Sequence, residues 1–231
     1  RSAERLILSL MDTDVVLRVV EAEQGILEAR GRTKLIVDTS TGEPDKAAAL
    51  AARLHRRGIE FLDATISGSS EQIRRREGVF MVGGDRRAFE DCRDLFTTLA
   101  EAYYYLGESG SGCRAKLATN LILGLNRLAL AEGLVFAQEL GLDLREFLGL
   151  LRVTPAYSRA VDAKGDKMLE EDFTPQSKIS QHAKDLRIIL EMAERSGQDL
   201  PLARLHRSLL EGAMGAGDGD QVGRPIDAGQ G

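Results

Sequence analysis

The distribution of apolar and polar residues divides the chain into two parts with different periodicities. Up to about residue 108, short apolar runs of strand length alternate with segments in which apolar residues recur at helical spacing. The strand-like runs cover residues 5–10, 33–40, 60–67, 78–85 and 102–108, and helical segments at 12–22, 43–58 and 85–100 lie between them. This alternation predicts an α/β sheet whose strands are joined by crossover helices.

From residue 110 onward the strand-like runs stop and helical spacing continues. Helices are predicted over residues 113–141, 142–154, 158–172, 175–197 and 201–217. We therefore expect an α/β domain over residues 1–109 and an all-helical domain over residues 110–231, with a long helix leading from the first into the second. The last residues are polar and glycine-rich and are expected to be irregular.

Composition and charge narrow the class of protein. The chain has 231 residues, 43% of them hydrophobic and 29% charged, which is ordinary globular composition. The net charge is −5, and the one dense basic cluster, Arg74 to Arg76, is flanked by glutamates, so no nucleic-acid partner is expected. No uninterrupted run of 18 apolar residues occurs and no secretory signal pattern is visible, which predicts a cytoplasmic protein that does not engage a membrane.

Cysteine and histidine usage predicts neither a disulfide framework nor a metal site. Cys92 and Cys113 do not have zinc-ligand spacing, and His55, His182 and His206 are far apart in different predicted elements.

The stretch GSGCRAKLATN (residues 110–120) carries the candidate chemistry. Its first six residues fit G-x-G-x-x-A, a dinucleotide-binding turn, but that turn needs a second strand and an acidic residue about 20 residues later, and none is predicted there. If a helix begins at this point, Lys116 lies near its start and Asn120 follows at i+4 on the same face. The positive end of the helix dipole disfavours a charged lysine, which suits a general acid/base. Spacing alone leaves open an exposed lysine and asparagine on a solvated face.

Five segments in chain order resemble motifs of the β-hydroxyacid dehydrogenases, the family that includes 3-hydroxyisobutyrate dehydrogenase and tartronate semialdehyde reductase. They are VDTST (37–41), FLDATISGS (61–69), GSGCRAKLATN (110–120), HAKDLRIILEMAERSGQDLPL (182–202) and GAGDGD (215–220). The resemblance covers about residues 5 to 222. It implies a Rossmann-type, doubly wound sheet, incomplete at its amino-terminal side, followed by an all-α dehydrogenase and dimerisation domain.

The resemblance also implies a reaction and the residues that perform it. Hydride would pass between a nicotinamide and the 3-hydroxy group of a small β-hydroxyacid, of the 3-hydroxyisobutyrate or tartronate semialdehyde type. Lys116 would be the general acid/base. The substrate would be bound by Asn120 and by the strand-end residues Ser67, Gly68 and Ser69.

The cofactor implied by the resemblance is NAD or NADP. Met11, Asp12, Thr41 and Lys184 fall at positions that approach the cofactor in the family. The resemblance further implies a homodimer or homotetramer assembled through the helical domain.

The chain departs from the family pattern at several positions. Thr65 stands where the substrate motif has proline, Ser69 where it has its second glycine, and Asp12 where a proline lies against the cofactor. The chain begins RSAERLILSL, without the family's amino-terminal G-x-G-x-x-G turn, so we expect a fragment with little activity by itself. The alternative is a non-catalytic assembly or binding module on the same fold.

Overall fold

The computed structural model describes residues 3–28, 31–172, 174 and 179–215. The chain forms two compact units, Arg1–Lys116 (unit 1) and Leu117–Gly231 (unit 2). Most of the GAGDGD segment, residues 216–220, lies outside the described residues, as does the start of the helix predicted from residue 175.

Unit 1 has the alternation of strands and helices that the sequence predicts. Its elements are β1 (Arg5–Leu8), α1 (Thr13–Glu21), β2 (Leu35–Asp38), α2 (Pro44–His55), β3 (Glu60–Ser67), α3 (Ser70–Arg74), β4 (Val79–Gly84), α4 (Arg86–Glu90), α5 (Arg93–Leu99) and β5 (Ala102–Gly107). The long helix α6 (Ser111–Glu139) begins in this unit.

The strands form one sheet in the order β1-β2-β3-β4-β5. β1, β2 and β3 run parallel, and β4 and β5 are parallel to each other, but β4 is antiparallel to β3. The chain between β3 and β4 spans residues 68–78 and holds only the short helix α3, whereas a parallel crossover needs a dozen or more residues. The strands were predicted correctly, but the reversal at β4 was not.

Both faces of the sheet are covered, as a doubly wound fold requires. Successive residues of β2 point to opposite sides, so Leu35 and Val37 pack with α4 and α5, while Ile36 packs with α1 and α2. Phe61 and Cys113 join the second of these clusters, which brings the beginning of α6 into the core on the α1/α2 side.

The single helix predicted over residues 85–100 is wrong in detail. The segment forms two short helices, α4 and α5, which are separated at Asp91 and Cys92. Phe89, Cys92 and Phe96 are nevertheless all buried in one cluster, with the Phe89 and Phe96 rings 5.7 Å apart. A helical pattern of apolar residues therefore predicted the buried face correctly and missed the break.

The loop predicted after β3 is also partly helical. Ser69 caps α3 through a capping box, in which its hydroxyl accepts from the N–H of Gln72 and the Gln72 side chain accepts from the N–H of Ser69. Arg74 and Arg75 are exposed and pair with Glu71 and Glu77, so the basic cluster is locally neutralised.

Among its described residues, unit 2 contains helices and no strands. After α6 it contains α7 (Leu144–Leu151), α8 (Arg159–Leu169), α9 (Ile179–Arg195) and α10 (Pro201–Ala213). One apolar cluster joins α6 at Leu117 to α9 and α10, and a second joins α6 at Leu130 and Leu134 to α7 and α8. Within unit 2, α6 therefore packs against α9 and α10 near Leu117 and against α7 and α8 near Leu130.

Helix α6 is long and apolar enough, judged by length and composition alone, to cross a bilayer, although no uninterrupted run of 18 apolar residues occurs in it. Only 22% of its most apolar 18-residue stretch is buried within the chain. It carries Lys116, Asn120 and Arg127 along its length.

We predict that replacing Phe96 by alanine destabilises unit 1 by about 3–5 kcal/mol, because it leaves a cavity in a fully buried aromatic cluster. Chemical denaturation with a matched Leu99→Ala control, in which the side chain is more than a third exposed, measures the difference. Equal loss of stability in the two variants would contradict this assignment of the core.

Candidate active site

The predicted cofactor residues of unit 1 lie just beyond the ends of two neighbouring parallel strands. The N–H of Leu10, after β1, donates to the hydroxyl of Ser40, after β2, at 2.9 Å, so the two strand ends are bonded together. Met11 and Thr41 each follow within one residue of this bond, and the Met11 side chain is 69% exposed. In open α/β sheets this edge, at the carboxyl ends of the strands, is where ligands bind.

Asp12 serves first as a helix cap. Its carboxylate accepts from the N–H of Val15 at 2.9 Å and so begins α1. The N–H of Glu43 donates to the hydroxyl of Thr13 at 2.8 Å, and this bond joins the beginning of α2 to the beginning of α1. The position predicted to approach the cofactor therefore has a structural role of its own.

Ser67, Gly68 and Ser69 form the end of β3 and the turn that follows it. Gly68 has φ of +149°, a conformation that residues with a side chain rarely adopt, which explains the glycine. The backbone N–H and the hydroxyl of Ser69 are both used in the capping box of α3. The backbone N–H and hydroxyl of Ser69, one of the predicted substrate-binding residues, therefore already have partners within α3.

The first turn of α6 is bonded to β3 by a buried carboxylate. Asp63 accepts from the N–H of Gly110 at 2.7 Å through Oδ1 and from the N–H of Cys113 at 2.9 Å through Oδ2. Its neighbour Thr65 donates its hydroxyl to the carbonyl of Gly112 at 3.0 Å. Sequence analysis noted Thr65 only where the family has proline and Asp63 only within the FLDATISGS segment, although a buried aspartate within an apolar strand is an unusual signal.

Two carboxylates lie on adjacent strands, because Asp38 of β2 is in register with Asp63 of β3. Burial raises the pKa of Asp38 to about 6, against the lowering effect of its hydrogen bonds from Ser40. Burial also raises the pKa of Asp63, and the N–H donors of Gly110 and Cys113 act in the opposite direction. Both effects follow from the cost of a charge away from water, which hydrogen bonds to the ionised form offset.

Lys116 is the sixth residue of α6 and lies in its second turn. It is partly buried, as is Asn120 one turn further along the helix. The 111–139 helix thus places the two on one face, as the i, i+4 spacing predicts.

In unit 2, Asn120 is held by Asp185 of α9. The Asn120 amide nitrogen donates to Asp185 Oδ2 at 2.8 Å, and Asp185 is 7% exposed. Because a carboxylate only accepts, this bond fixes which end of the amide faces Asp185 and leaves the Asn120 oxygen directed elsewhere. Lys184 lies next in sequence, with its Nζ 3.9 Å from Asp185 Oδ1. Sequence analysis included Asp185 only within the segment 182–202 and did not predict its contact with Asn120.

A histidine pair, His182 of α9 and His206 of α10, lies against α6 one turn beyond Asn120. The rings of His182 and His206 are 4.9 Å apart, and both lie against Gly124, where a Cβ would come within 2.5 Å of His182 Nε2. Burial lowers the pKa of His182 to about 4, with further lowering by His206 and Arg127. The His206 pKa is also lowered by burial and by Arg127. The pair therefore packs in its neutral form.

Within the described ranges, no three His, Cys, Asp or Glu side chains are grouped so that they could hold a metal ion.

The predicted site residues fall into separate groups in the two units. In unit 1, Met11, Asp12 and Thr41 share the edge at the ends of β1 and β2, Ser67 to Ser69 end β3, and Lys116 lies on the helix bonded to β3. In unit 2, Asn120 and Lys184 both border Asp185.

Two family models match consecutive parts of the chain. Residues 1–107 match the NAD-binding domain of 6-phosphogluconate dehydrogenase. Residues 110–223 match the model described as NAD-binding of NADP-dependent 3-hydroxyisobutyrate dehydrogenase. Both descriptions agree with the NAD or NADP predicted from the sequence.

Relatives of two kinds are similar to the chain. It is 33% identical over 202 residues to 2-hydroxy-3-oxopropionate reductase of Escherichia coli, covering 87% of this chain and 68% of the reductase. It is 31% identical over 182 residues to the cytokine-like nuclear factor N-PAC of Drosophila melanogaster, covering 78% of this chain but 30% of N-PAC. The chain thus spans less than a third of one relative and about two thirds of the other.

A solved structure shares the fold. The 3-hydroxyisobutyrate dehydrogenase of Mycobacterium tuberculosis, determined with L-serine, superposes with a TM-score of 0.83 at 25% identity, over 95% of this chain and 76% of that one.

We predict that His182→Phe makes the fold less sensitive to acid. A histidine whose pKa is lowered by folding stabilises the protein above its unfolded pKa of about 6.5, and this stability is lost as the pH falls toward the folded value of about 4. Between pH 7.5 and pH 5, the free energy of unfolding should fall by about 2 kcal/mol less in the variant than in the wild type.

Urea denaturation at the two pH values measures this difference, with His55→Gln as the control because His55 is 73% exposed. Asp38 and Asp63 titrate in the opposite direction, but they are present in every variant and cancel in the comparison. A pH dependence of His182→Phe identical to that of the wild type would refute the prediction.

Proposed function

Since the chain belongs to the β-hydroxyacid dehydrogenase family, of the 3-hydroxyisobutyrate dehydrogenase type, we propose that it transfers hydride between NAD or NADP and the 3-hydroxy group of a small β-hydroxyacid. The observation that carries the proposal is Lys116 in the second turn of α6, followed one turn later by Asn120, whose amide is held by a buried carboxylate. The substrate proposed is of the 3-hydroxyisobutyrate or tartronate semialdehyde type.

Lys116 is the general acid/base. In the oxidative direction its Nζ takes the proton of the substrate hydroxyl, and in the reductive direction it returns that proton to the forming hydroxyl. Its partial burial supports this role, because removal from water favours the neutral amine that accepts the proton.

Asn120 orients the substrate through its free end. With its nitrogen donating to Asp185, the Asn120 oxygen is available to accept a hydrogen bond from a hydroxyl. Asp185 accordingly acts as a positioning residue, since it fixes the amide in one orientation before substrate binds.

The turn after β3 binds the substrate carboxylate. Ser67 and Gly68 supply backbone N–H groups and the Ser67 hydroxyl, and the positive φ of Gly68 lets the backbone approach an anion closely. Ser69 contributes indirectly, because its capping box fixes the turn.

The edge formed by β1 and β2 fits the nicotinamide end of the cofactor. Exposed apolar surface at Met11 suits the face of a planar ring, and the hydroxyl of Thr41 suits its carboxamide, with Asp12 alongside. Lys184, in unit 2, is the remaining residue proposed for cofactor binding. When bound, NAD or NADP supplies the hydride acceptor, and the residues of this chain supply placement and the proton.

Residues 1–109 form the cofactor-binding domain and residues 110–231 the dehydrogenase and dimerisation domain in this proposal.

The apolar face of α6 is the proposed contact with a second copy of the chain. Ile122 and Phe136 lie on one face of this helix, Leu140 follows directly after its last residue, and each is at least 60% exposed. Large apolar residues exposed along one helix are compatible with an interface. We propose a homodimer or homotetramer in the cytoplasm.

A second candidate is a non-catalytic assembly or binding module on the same fold. It is favoured by the 31% identity to N-PAC, a relative named as a nuclear factor and not as an enzyme. Lys116 and the Asn120–Asp185 bond favour catalysis, since a binding module needs neither.

We predict that Lys116→Ala lowers kcat by at least about 100-fold in the full-length protein, since it removes the proton acceptor. NAD- and NADP-linked oxidation of a panel of 3-hydroxy acids is the assay, and Lys34→Ala, an exposed lysine paired with Glu4, is the control. If the wild type oxidises none of the panel, the binding module is favoured; if Lys116→Ala keeps wild-type kcat, Lys116 is not the acid/base.

We predict that Phe136→Ser weakens self-association at least tenfold, because it places a hydroxyl in an apolar interface. Sedimentation velocity over a concentration series measures this. Ile73→Ser, at a partly exposed apolar residue of α3, should leave association unchanged. A wild-type protein that stays monomeric throughout the series would refute the dimer.

A further inference from the structure

We propose that Asp63 and Thr65 are positioning residues for Lys116, because together they bond the first turn of α6 to β3, the strand that ends in Ser67. The inference rests on the proposed function and extends it: the strand that binds the substrate also sets the position of the helix that carries the proton acceptor.

Asp63 replaces the cap that α6 lacks in its own sequence. In a capping box, the side chain of the residue before the helix accepts from the N–H of the third helical residue. The side chain of that third residue accepts in turn from the N–H of the residue before the helix. Here the residue before the helix is Gly110 and the third residue is Cys113, neither of which can supply a carboxylate. The single carboxylate of Asp63, 1% exposed, accepts from both N–H groups.

Two glycines allow the helix to lie directly on the sheet. A Cβ at Gly112 would come within 2.2 Å of the Asp63 carbonyl oxygen and 2.4 Å of the Met81 carbonyl oxygen. A Cβ at Gly83 would come within 2.8 Å of Asp63 Oδ1 and of the Gly112 nitrogen. Apart from Asp63 Oδ1, the atoms contacted belong to the backbone and no rotamer change moves them, so the helix start has little freedom to shift toward the strands.

Thr65 adds a bond to the turn that precedes Lys116. Its hydroxyl is fully buried and donates to the carbonyl of Gly112 at 3.0 Å, while the alternative acceptor, the Met81 carbonyl, is more distant at 3.4 Å. In an α-helix the carbonyl of residue 112 also accepts from the N–H of residue 116. The hydroxyl of Thr65 therefore bonds to the same oxygen as the backbone of Lys116.

The two bonds connect the proposed substrate residue to the proposed proton acceptor. Asp63, Thr65 and Ser67 alternate along β3 and so share one face of the strand. A displacement of α6 from this face would change the distance between the Ser67 turn and Lys116. Proton transfer is sensitive to small displacements of the proton acceptor, since a misplacement of about 1 Å can lower the rate about 100-fold.

The test compares two substitutions of Thr65 in the full-length protein. Thr65→Val keeps the shape but removes the hydroxyl, and Thr65→Ser keeps the hydroxyl. We expect Thr65→Val to lower kcat about tenfold with KM for the hydroxyacid within about twofold, and to move the alkaline limb of kcat/KM by about half a pH unit or more. Thr65→Ser should restore kcat to within about twofold of the wild type.

Thr154→Val is the matched control, because it deletes a hydroxyl that donates to a backbone carbonyl at 3.2 Å in unit 2. It should leave kcat and the pH profile unchanged. A role of Thr65 in stability alone would lower the amount of active enzyme without moving the pH profile. Equal kinetics of Thr65→Val and Thr65→Ser would overturn the proposal, as would a pH profile of Thr65→Val identical to that of the wild type.

Amide hydrogen exchange gives a readout that does not depend on activity. In Asp63→Asn, the side chain can accept at one atom only. We therefore expect amide exchange at Gly110 or Cys113 to become at least about tenfold faster than in the wild type, while exchange at amides of the sheet stays unchanged. If Thr65→Val does not fold, this measurement decides the proposal. Unchanged protection of both amides in Asp63→Asn would overturn it.

Failure of the inference can be distinguished from failure of the proposed function. If Lys116→Ala abolishes activity while Thr65→Val behaves like the wild type, Lys116 is the acid/base but Thr65 does not position it. If Lys116→Ala is fully active, the proposed function fails, whatever the exchange at Gly110 and Cys113.

Discussion

A buried carboxylate on a central strand determines where the long helix begins. Asp63 accepts the N–H groups of Gly110 and Cys113, and a charge at this depth is tolerated because those donors replace water. The same bonds satisfy amides that every helix leaves without partners at its start. All of unit 2 follows the first turn of this helix in the chain, so one strand residue fixes the point at which the sheet ends and the helical half begins.

In each unit a buried aspartate accepts hydrogen bonds from amide groups near a proposed site residue. In unit 1 a buried aspartate holds backbone amides, and in unit 2 a buried aspartate, Asp185, holds the side-chain amide of Asn120. In both cases the cost of burying the carboxylate is met by donors of fixed geometry. Asp63 therefore positions the helix that carries Lys116, and Asp185 positions the amide of Asn120. Neither aspartate needs to contact the substrate for this role.

Membership of the β-hydroxyacid dehydrogenase family leaves the role of this chain open between two kinds of relative. One is named as a reductase and is covered over 68% of its length, and the other is named as a nuclear factor and is covered over 30%. Overall similarity does not separate them, since the identities are 33% and 31%. The local arrangement around Lys116 and Asn120 is what supports the enzyme in our proposal, because catalysis depends on a few atoms and the fold on many.

The sequence by itself determined the elements and the family. Apolar periodicity is a local property, so it gave β3 at residues 60–67 without error, the alternation of unit 1 and the helices of unit 2. It also located Lys116 and Asn120, because i, i+4 spacing within one helix requires no knowledge of its neighbours. Only the tertiary structure decided the reversal of β4, the break between α4 and α5, and the partners of Asp63 and Asp185. Those partners lie 47 to 65 residues away in sequence, and contacts over such separations depend on how elements pack, which local pattern does not specify.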